Sequence, residues 1–150
     1  MRDAQRTMWT VGHYPAIARH LLRIGEEVVG GLPIDGGTTV LDVAVGDGNA
    51  AIEAARRGAA VTGVDLTPAQ IDKARARIAA AGLDVALQVA DAEDLPFEDG
   101  TFDVVVSVMG VIFAPDHVRA AAELGRVVKP GGTVAMTAWA NEGWGVIWRR

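Results

Sequence analysis

Five short apolar runs recur along the chain, most of them separated by enough residues for a helix: Thr39–Ala44, Ala60–Val64, Val85–Ala90, Phe102–Ser107 and Thr133–Ala138. Their length and β-branched content suit strands buried on both faces. The intervening and preceding segments carry a helical period. Pro15 fits the first turn of a helix whose apolar stripe is Ile17, Leu21, Ile24 and Val28. Asn49 is placed to cap a short helix that stops before Gly58. Thr67-Pro68-Ala69-Gln70 reads as a capping box with proline at the first helical position, and Gly82 as the left-handed stop of that helix. Asp116 starts the last helix, which Lys129-Pro130-Gly131-Gly132 is expected to end.

Alternation of this kind predicts an α/β fold: a doubly wound, mostly parallel sheet covered by helices on both faces. The turn Asp35-Gly36-Gly37 marks its start. Residues 1–34 are then expected to form a helical N-terminal extension or lid, and residues 35–150 the core. Composition narrows the chemistry. A chain of 150 residues, 50% hydrophobic, builds one core without staples. It has no cysteine, which removes disulfides, thiolate zinc sites and thiol nucleophiles together, and its three histidines lack metal-ligand spacing. No apolar run approaches the roughly 18 residues of a membrane span, and no apolar stretch follows Met1–Thr7 as in a secretory signal. A cytoplasmic protein, away from membranes, is expected. A net charge of −5 with scattered Lys and Arg argues against a nucleic-acid partner.

In a doubly wound sheet, ligands bind beyond the carboxyl ends of the strands where the strand order reverses. Four features fall there. Asp42-Val-Ala44-Val-Gly46-Asp47-Gly48-Asn-Ala-Ala51 runs from the first strand into a helix, and its glycines allow a tight turn and close approach of a ligand; alone it reads equally as a structural turn. Asp65 ends the second strand, where a carboxylate accepts paired ribose hydroxyls or else caps the Thr67 turn. Asp91 and Ala92 end the third strand; a carboxylate and the next amide can read an adenine edge, or simply turn in solvent. Asp42 is an acid within an apolar strand, a costly position unless glycine-loop amides or a ligand hydrogen-bond to it.

In this order the segments Val40–Ala51, Val61–Pro68, Ala90–Phe97, Phe102–Ser107 and Glu123–Gly132 resemble the class I S-adenosylmethionine-dependent methyltransferases, of the group that includes ubiquinone/menaquinone-biosynthesis-type enzymes. The resemblance implies a Rossmann-like sheet of strand order 3-2-1-4-5, with S-adenosyl-L-methionine as cofactor. It places Ala44, Gly46 and Gly48 under the methionyl part and Asp42 near the ammonium group. Asp65 falls on the ribose hydroxyls, Leu66 on the adenine face, and Asp91 and Ala92 on the adenine edge. Ser107 lines the methyl-donor end through its backbone. Methyl transfer to a small-molecule acceptor would proceed by in-line displacement at the sulfonium methyl carbon, and no residue is assigned a catalytic role.

The sequence also departs from that family. Ala44 replaces the first glycine of its loop. Asp47 stands where threonine is common, which is unfavourable near the cofactor's carboxylate and favourable near its ammonium and a helix N-terminus. Family members continue for two more strands. Thr133–Ala138 is therefore expected to be a sheet edge flanked by Trp139, Trp144 and Trp148, either because the chain is a fragment or because a second copy covers that edge. Two other functions fit part of the pattern. A nicotinamide-dependent oxidoreductase would share Gly46, Gly48, Ala51 and Asp65, though Asp42 argues against it; a non-catalytic cofactor-binding or dimerising module would explain the missing strands.

Trp9, His13 and Tyr14 precede the first helix and read either as a lid over the methyl-donor end or as a hydrophobic staple, with His13 a general base or a solvent-facing side chain. Met109, just past the fourth strand, joins them as a candidate substrate or lid residue. His20 and His117 read as surface residues. Glu93, Asp94, Glu98 and Asp99 are expected to form a solvated rim.

Overall fold

The structure is a computed structural model and describes residues 14–139, with side chains from Leu22 onward. Its elements are α1 (Tyr14–Gly30), β1 (Thr39–Val43), α2 (Asn49–Arg56), β2 (Ala60–Asp65), α3 (Pro68–Ala80), β3 (Ala86–Val89), β4 (Phe102–Ser107), a single 3₁₀ turn (Val111–Phe113), α4 (His117–Val127) and β5 (Val128–Met136). The five strands are all parallel and ordered β3-β2-β1-β4-β5, the order implied by the resemblance.

Alternation along β1 decides which face each residue serves. Val40 points toward α1 and α2, where it packs with Val29, Ala50, Ala51 and Ala54. Leu41 and Val43 point the other way, into a layer closed by Leu124 and Val127 of α4 with Phe102 and Leu95. Strands apolar on both sides are what a sheet covered by helices on both faces requires. Strand order reverses at β1, because β2 and β4 flank it, so the carboxyl ends of β1 and β4 border the crevice. No helix among the described residues is long and apolar enough to cross a membrane.

The helix ends follow the chemistry of their caps, not always as expected. Asp116 caps α4 by accepting the Arg119 N–H at 2.9 Å, and Gly82, at φ 68°, ends the α3 segment. Asn49 does not cap α2. Gly48, at φ 92°, holds that position, and the Asn49 carboxamide turns away to Arg77. Thr67 is the N-cap of α3 but forms no side-chain cap, because its hydroxyl is engaged by Asp65. Lys129–Gly132 does not separate α4 from β5. Val128 already pairs with Phe102, and Lys129–Gly132 bulge outward before Thr133 resumes the ladder opposite Val104. Proline and glycine here break the helix and buckle the strand.

Loop 93–99 is bound to α4 by buried and half-buried polar groups. Glu123 accepts the Leu95 N–H at 2.7 Å, while Arg126 pairs with Glu123 and donates to the carbonyls of Leu95 (2.9 Å) and Phe97 (2.7 Å). Arg126 holds the Glu123 carboxyl below its ordinary value. Glu93 is corrected from solvated rim to buried strut: its carboxylate accepts the Asp116 N–H at 2.8 Å and its carbonyl accepts from Arg119 Nε at 2.7 Å. Asp94, Glu98 and Asp99 are exposed. β5 is an edge strand among the described residues, and Val134, Met136 and Trp139 on and after it are exposed. Trp144 and Trp148 lie outside the described residues.

Two glycines make the packing testable. A Cβ at Gly132, inside the bulge, would lie 2.7 Å from the Asp103 carbonyl oxygen and 3.0 Å from that of Lys129. A Cβ at Gly125, on the exposed side of α4, would meet nothing within 4 Å. Gly132→Ala should lower the unfolding free energy by about 1–3 kcal/mol. Gly125→Ala should raise it by about 0.5–1 kcal/mol. Urea unfolding of the two variants checks both signs.

Candidate functional site

One open cleft lies over the carboxyl ends of β1, β2, β3 and β4, with a cavity volume of about 110 Å³. Asp42, Ala44, Gly46, Asp65, Leu66, Asp91, Ala92 and Met109 all line it. Three acids from three consecutive strand ends therefore face one hollow, which no side chain among the described residues fills.

Asp42 shares the β1 face of Val40, so its carboxylate lies beneath the start of α2. It is 2% exposed. The backbone N–H of Ala51, one of the free donors in the first turn of α2, is its partner, and Oδ2 has none among the described residues. Glycine-loop amides, the expected donors, go elsewhere. Burial, reinforced by the charges of Asp65 and Asp47, pushes the Asp42 carboxyl up to about 7 despite the Ala51 hydrogen bond.

Asp65 is also buried, and its oxygens each hold a backbone amide: Oδ2 accepts the Gly46 N–H at 3.0 Å and Oδ1 the Thr67 N–H at 2.9 Å. It thereby ties the β1 loop to the start of α3. The Thr67 hydroxyl bonds to the same carboxylate, which leaves one lone pair open for a ligand hydroxyl. Burial raises its pKa, and the two amides and the Thr67 hydroxyl oppose the rise. Asp91, half-buried, accepts the Glu93 N–H at 3.0 Å, which fixes the turn that presents Ala92.

Two expected members do not face the cleft. Gly48 turns toward α3, where a Cβ would meet Ala74 at 3.6 Å. Ser107 lies fully buried below the floor, its hydroxyl donating to the Val43 carbonyl at 2.7 Å and accepting the Val111 N–H at 3.1 Å. It fixes the loop after β4 instead of lining the hollow. That loop supplies Val108, Gly110, Val111, Phe113, Ala114 and Pro115 to the wall, residues that sequence reasoning missed. Ala44 (φ 60°) and Met109 (φ 56°) adopt the left-handed region without being glycine. The two turns nearly touch. A Cβ at Gly110 would sit 2.5 Å from that of Ala44, so the methyl at position 44 requires glycine at position 110. The Met109 N–H is held by Thr137 Oγ1 at 2.8 Å. Trp9 and His13 lie outside the described residues, as does the Tyr14 side chain. His117 is exposed, its Nε2 2.9 Å from the Ile112 carbonyl. Among the described residues no group of three or more His, Asp or Glu could hold a metal ion.

The raised Asp42 pKa has a definite pH signature. A carboxyl that binds its proton more tightly when folded contributes stability that is full below about pH 4 and is lost as pH rises to about 7. Asp65 adds in the same direction. Asp42→Asn keeps an acceptor for the Ala51 N–H without the charge. It should flatten the decline between pH 4 and 7 and leave the ligand-free variant more stable than wild type at pH 8, by up to about 4 kcal/mol at ~1.4 kcal/mol per pKa unit. Urea titrations across that range measure both effects.

Comparison with known proteins supplies the family. Residues 40–132 match the family described as "Methyltransferase domain". An uncharacterized protein of Mycobacterium tuberculosis is 50% identical over 139 residues, 92% of this chain and 51% of that protein. The 27-O-demethylrifamycin SV methyltransferase of Amycolatopsis mediterranei is 33% identical over 117 residues, 76% of this chain and 43% of that enzyme. The complex between the Haloferax volcanii Trm112 methyltransferase activator and a methyltransferase contains a chain that superposes with a TM-score of 0.75 at 27% identity, covering 86% of this chain and 57% of that one. The chain spans about half the length of the mycobacterial relatives it matches. With residues 40–132 matched and the strand order β3-β2-β1-β4-β5 in place, the chain belongs to the methyltransferase domain family, whose cofactor is S-adenosyl-L-methionine.

Proposed function

We propose that the protein transfers the methyl group of S-adenosylmethionine to a small-molecule acceptor and that this chain provides the cofactor site. The observation that carries the reading is Asp42 Oδ2, a buried acceptor without a partner among the described residues, in the same cleft as Asp65 and Asp91. A buried carboxyl such as Asp42, raised by burial and short of a donor, is suited to a cationic ligand group.

Each side chain has a task in this reading. Asp42 takes the ammonium group, beside the loop Ala44–Gly48. Asp65 accepts from the ribose hydroxyls where its two amides and the Thr67 hydroxyl leave it open. Leu66 covers one adenine face, while Asp91 accepts from the exocyclic amine and the Ala92 N–H meets the ring. Ser107 acts from below by holding the loop after β4 in shape. The bound cofactor supplies a methyl carbon already activated by the adjacent sulfonium. Val108, Met109, Phe113, Ala114 and Pro115 carry no ionisable group, so this wall orients the reactants and excludes water without moving a proton. The name of the Amycolatopsis relative supports a small-molecule acceptor. The segment Asp91–Phe97 supports a place near the ubiquinone/menaquinone-type group.

Isothermal titration of the chain with S-adenosylmethionine and S-adenosylhomocysteine should show binding of both, with NAD(H) silent; the reverse pattern would establish the nicotinamide reading instead. Asp65→Ala should weaken S-adenosylmethionine by about 1–3 kcal/mol, because it leaves ribose hydroxyls without an acceptor. Unchanged affinity would place the ribose elsewhere.

A further inference from the structure

Asp47 brings a fourth carboxylate to the wall of the cleft, between Gly46 and the first turn of α2. It is held by Arg77, in the last turn of α3. Arg77 Nη1 lies 2.6 Å from Asp47 Oδ2, and donates to the Asp47 carbonyl at 2.9 Å and to Asn49 Oδ1 at 2.7 Å. The Asp47 side chain is 17% exposed and that of Arg77 36%, so solvent screens the pair only in part. A single guanidinium nitrogen thus pairs with a charge beside the cleft and ties the glycine loop to the neighbouring helix.

We propose that Arg77 is a positioning residue of the cofactor cleft: by pairing with Asp47 it sets how strongly the cleft prefers the charged methyl donor over the uncharged thioether product. This rests on the function proposed above. The two ligands differ at the reacting atom, a positive sulfonium in the donor and a neutral thioether in the product. A loop that loses its shape weakens both alike. A cleft that gains or loses a charge changes their ratio. The pairing also has a kinetic rationale, since charge leaves the sulfur as the methyl departs. Surplus carboxylates would stabilise the ground-state cation more than the transition state.

The test is calorimetry of the 150-residue chain with S-adenosylmethionine and S-adenosylhomocysteine, in wild type, Arg77→Met, Asp47→Asn and the double variant. The ratio Kd(product)/Kd(donor) should rise about three- to tenfold in Arg77→Met, where Asp47 is left uncompensated. It should fall by a similar factor in Asp47→Asn and return to within about twofold of wild type in the double variant. Both shifts should shrink at about 0.5 M salt. Asp47→Asn keeps the inference testable should Arg77→Met fail to fold. If the affinities for both ligands fall together and the ratio stays fixed, Arg77 is a structural tie and the proposal is overturned. Failure of the wild-type chain to bind either ligand overturns the underlying function, and this inference with it.

Discussion

Two carboxylates buried in one cleft set the terms for the rest of the molecule. Asp42 and Asp65 stand at the ends of neighbouring strands, each surrounded by backbone amides and apolar side chains, and the charge of Asp65 raises the Asp42 pKa. Removing such groups from water costs several kcal/mol unless hydrogen bonds and opposite charge compensate. The fold offers backbone donors: Ala51 for Asp42, Gly46 and Thr67 for Asp65. It offers neither of them a cation among the described residues. Arg77, behind the wall of the cleft, is committed to Asp47. The two carboxyls therefore rest on backbone amides and the Thr67 hydroxyl among the described residues, a balance that the cationic ligand proposed above would complete.

The local geometry around the acids is held by a few tight contacts. Ala44 and Met109 both sit in the left-handed region at the tops of adjacent central strands, and Gly110 is needed where their turns meet. The Ser107 hydroxyl joins the two turns from below, bonding to the Val43 carbonyl and the Val111 N–H. On the opposite wall, Glu93, Glu123 and Arg126 fasten the turn that carries Asp91 to α4. Strain of about 1–2 kcal/mol per left-handed non-glycine residue persists because strand pairing and these hydrogen bonds over-determine the loop.

Much of this was legible in the sequence because strands buried on both faces show as continuous β-branched runs, and acids at their ends interrupt an otherwise apolar pattern. Asp42 stood out for that reason, and its burial is the source of its raised pKa. What could not be read lies in long-range hydrogen bonding. Glu93 looks like one of four loop acids until Asp116 and Arg119 are brought against it. Asn49 and Thr67 have the composition of caps, yet Arg77 and Asp65 recruit their side chains from other elements. Ser107 was correctly placed at the top of β4 but faces the core. The wall from Val108 to Pro115 has no periodicity and little polarity, so its role emerged only from its position. The effect of the Asp47 charge, open in the sequence, turns on a partner thirty residues away.

The central claim is that Asp42 keeps a proton for want of a cation and yields it when the cofactor arrives. Carboxyl ¹³C NMR of aspartate-labelled protein, titrated with pH in the absence and presence of saturating S-adenosylmethionine, measures this at the residue itself. The account predicts a midpoint near 7 for Asp42 in the ligand-free chain, moving down toward the ordinary carboxylate range with ligand bound. A midpoint that stays in place when the ligand is bound would contradict it.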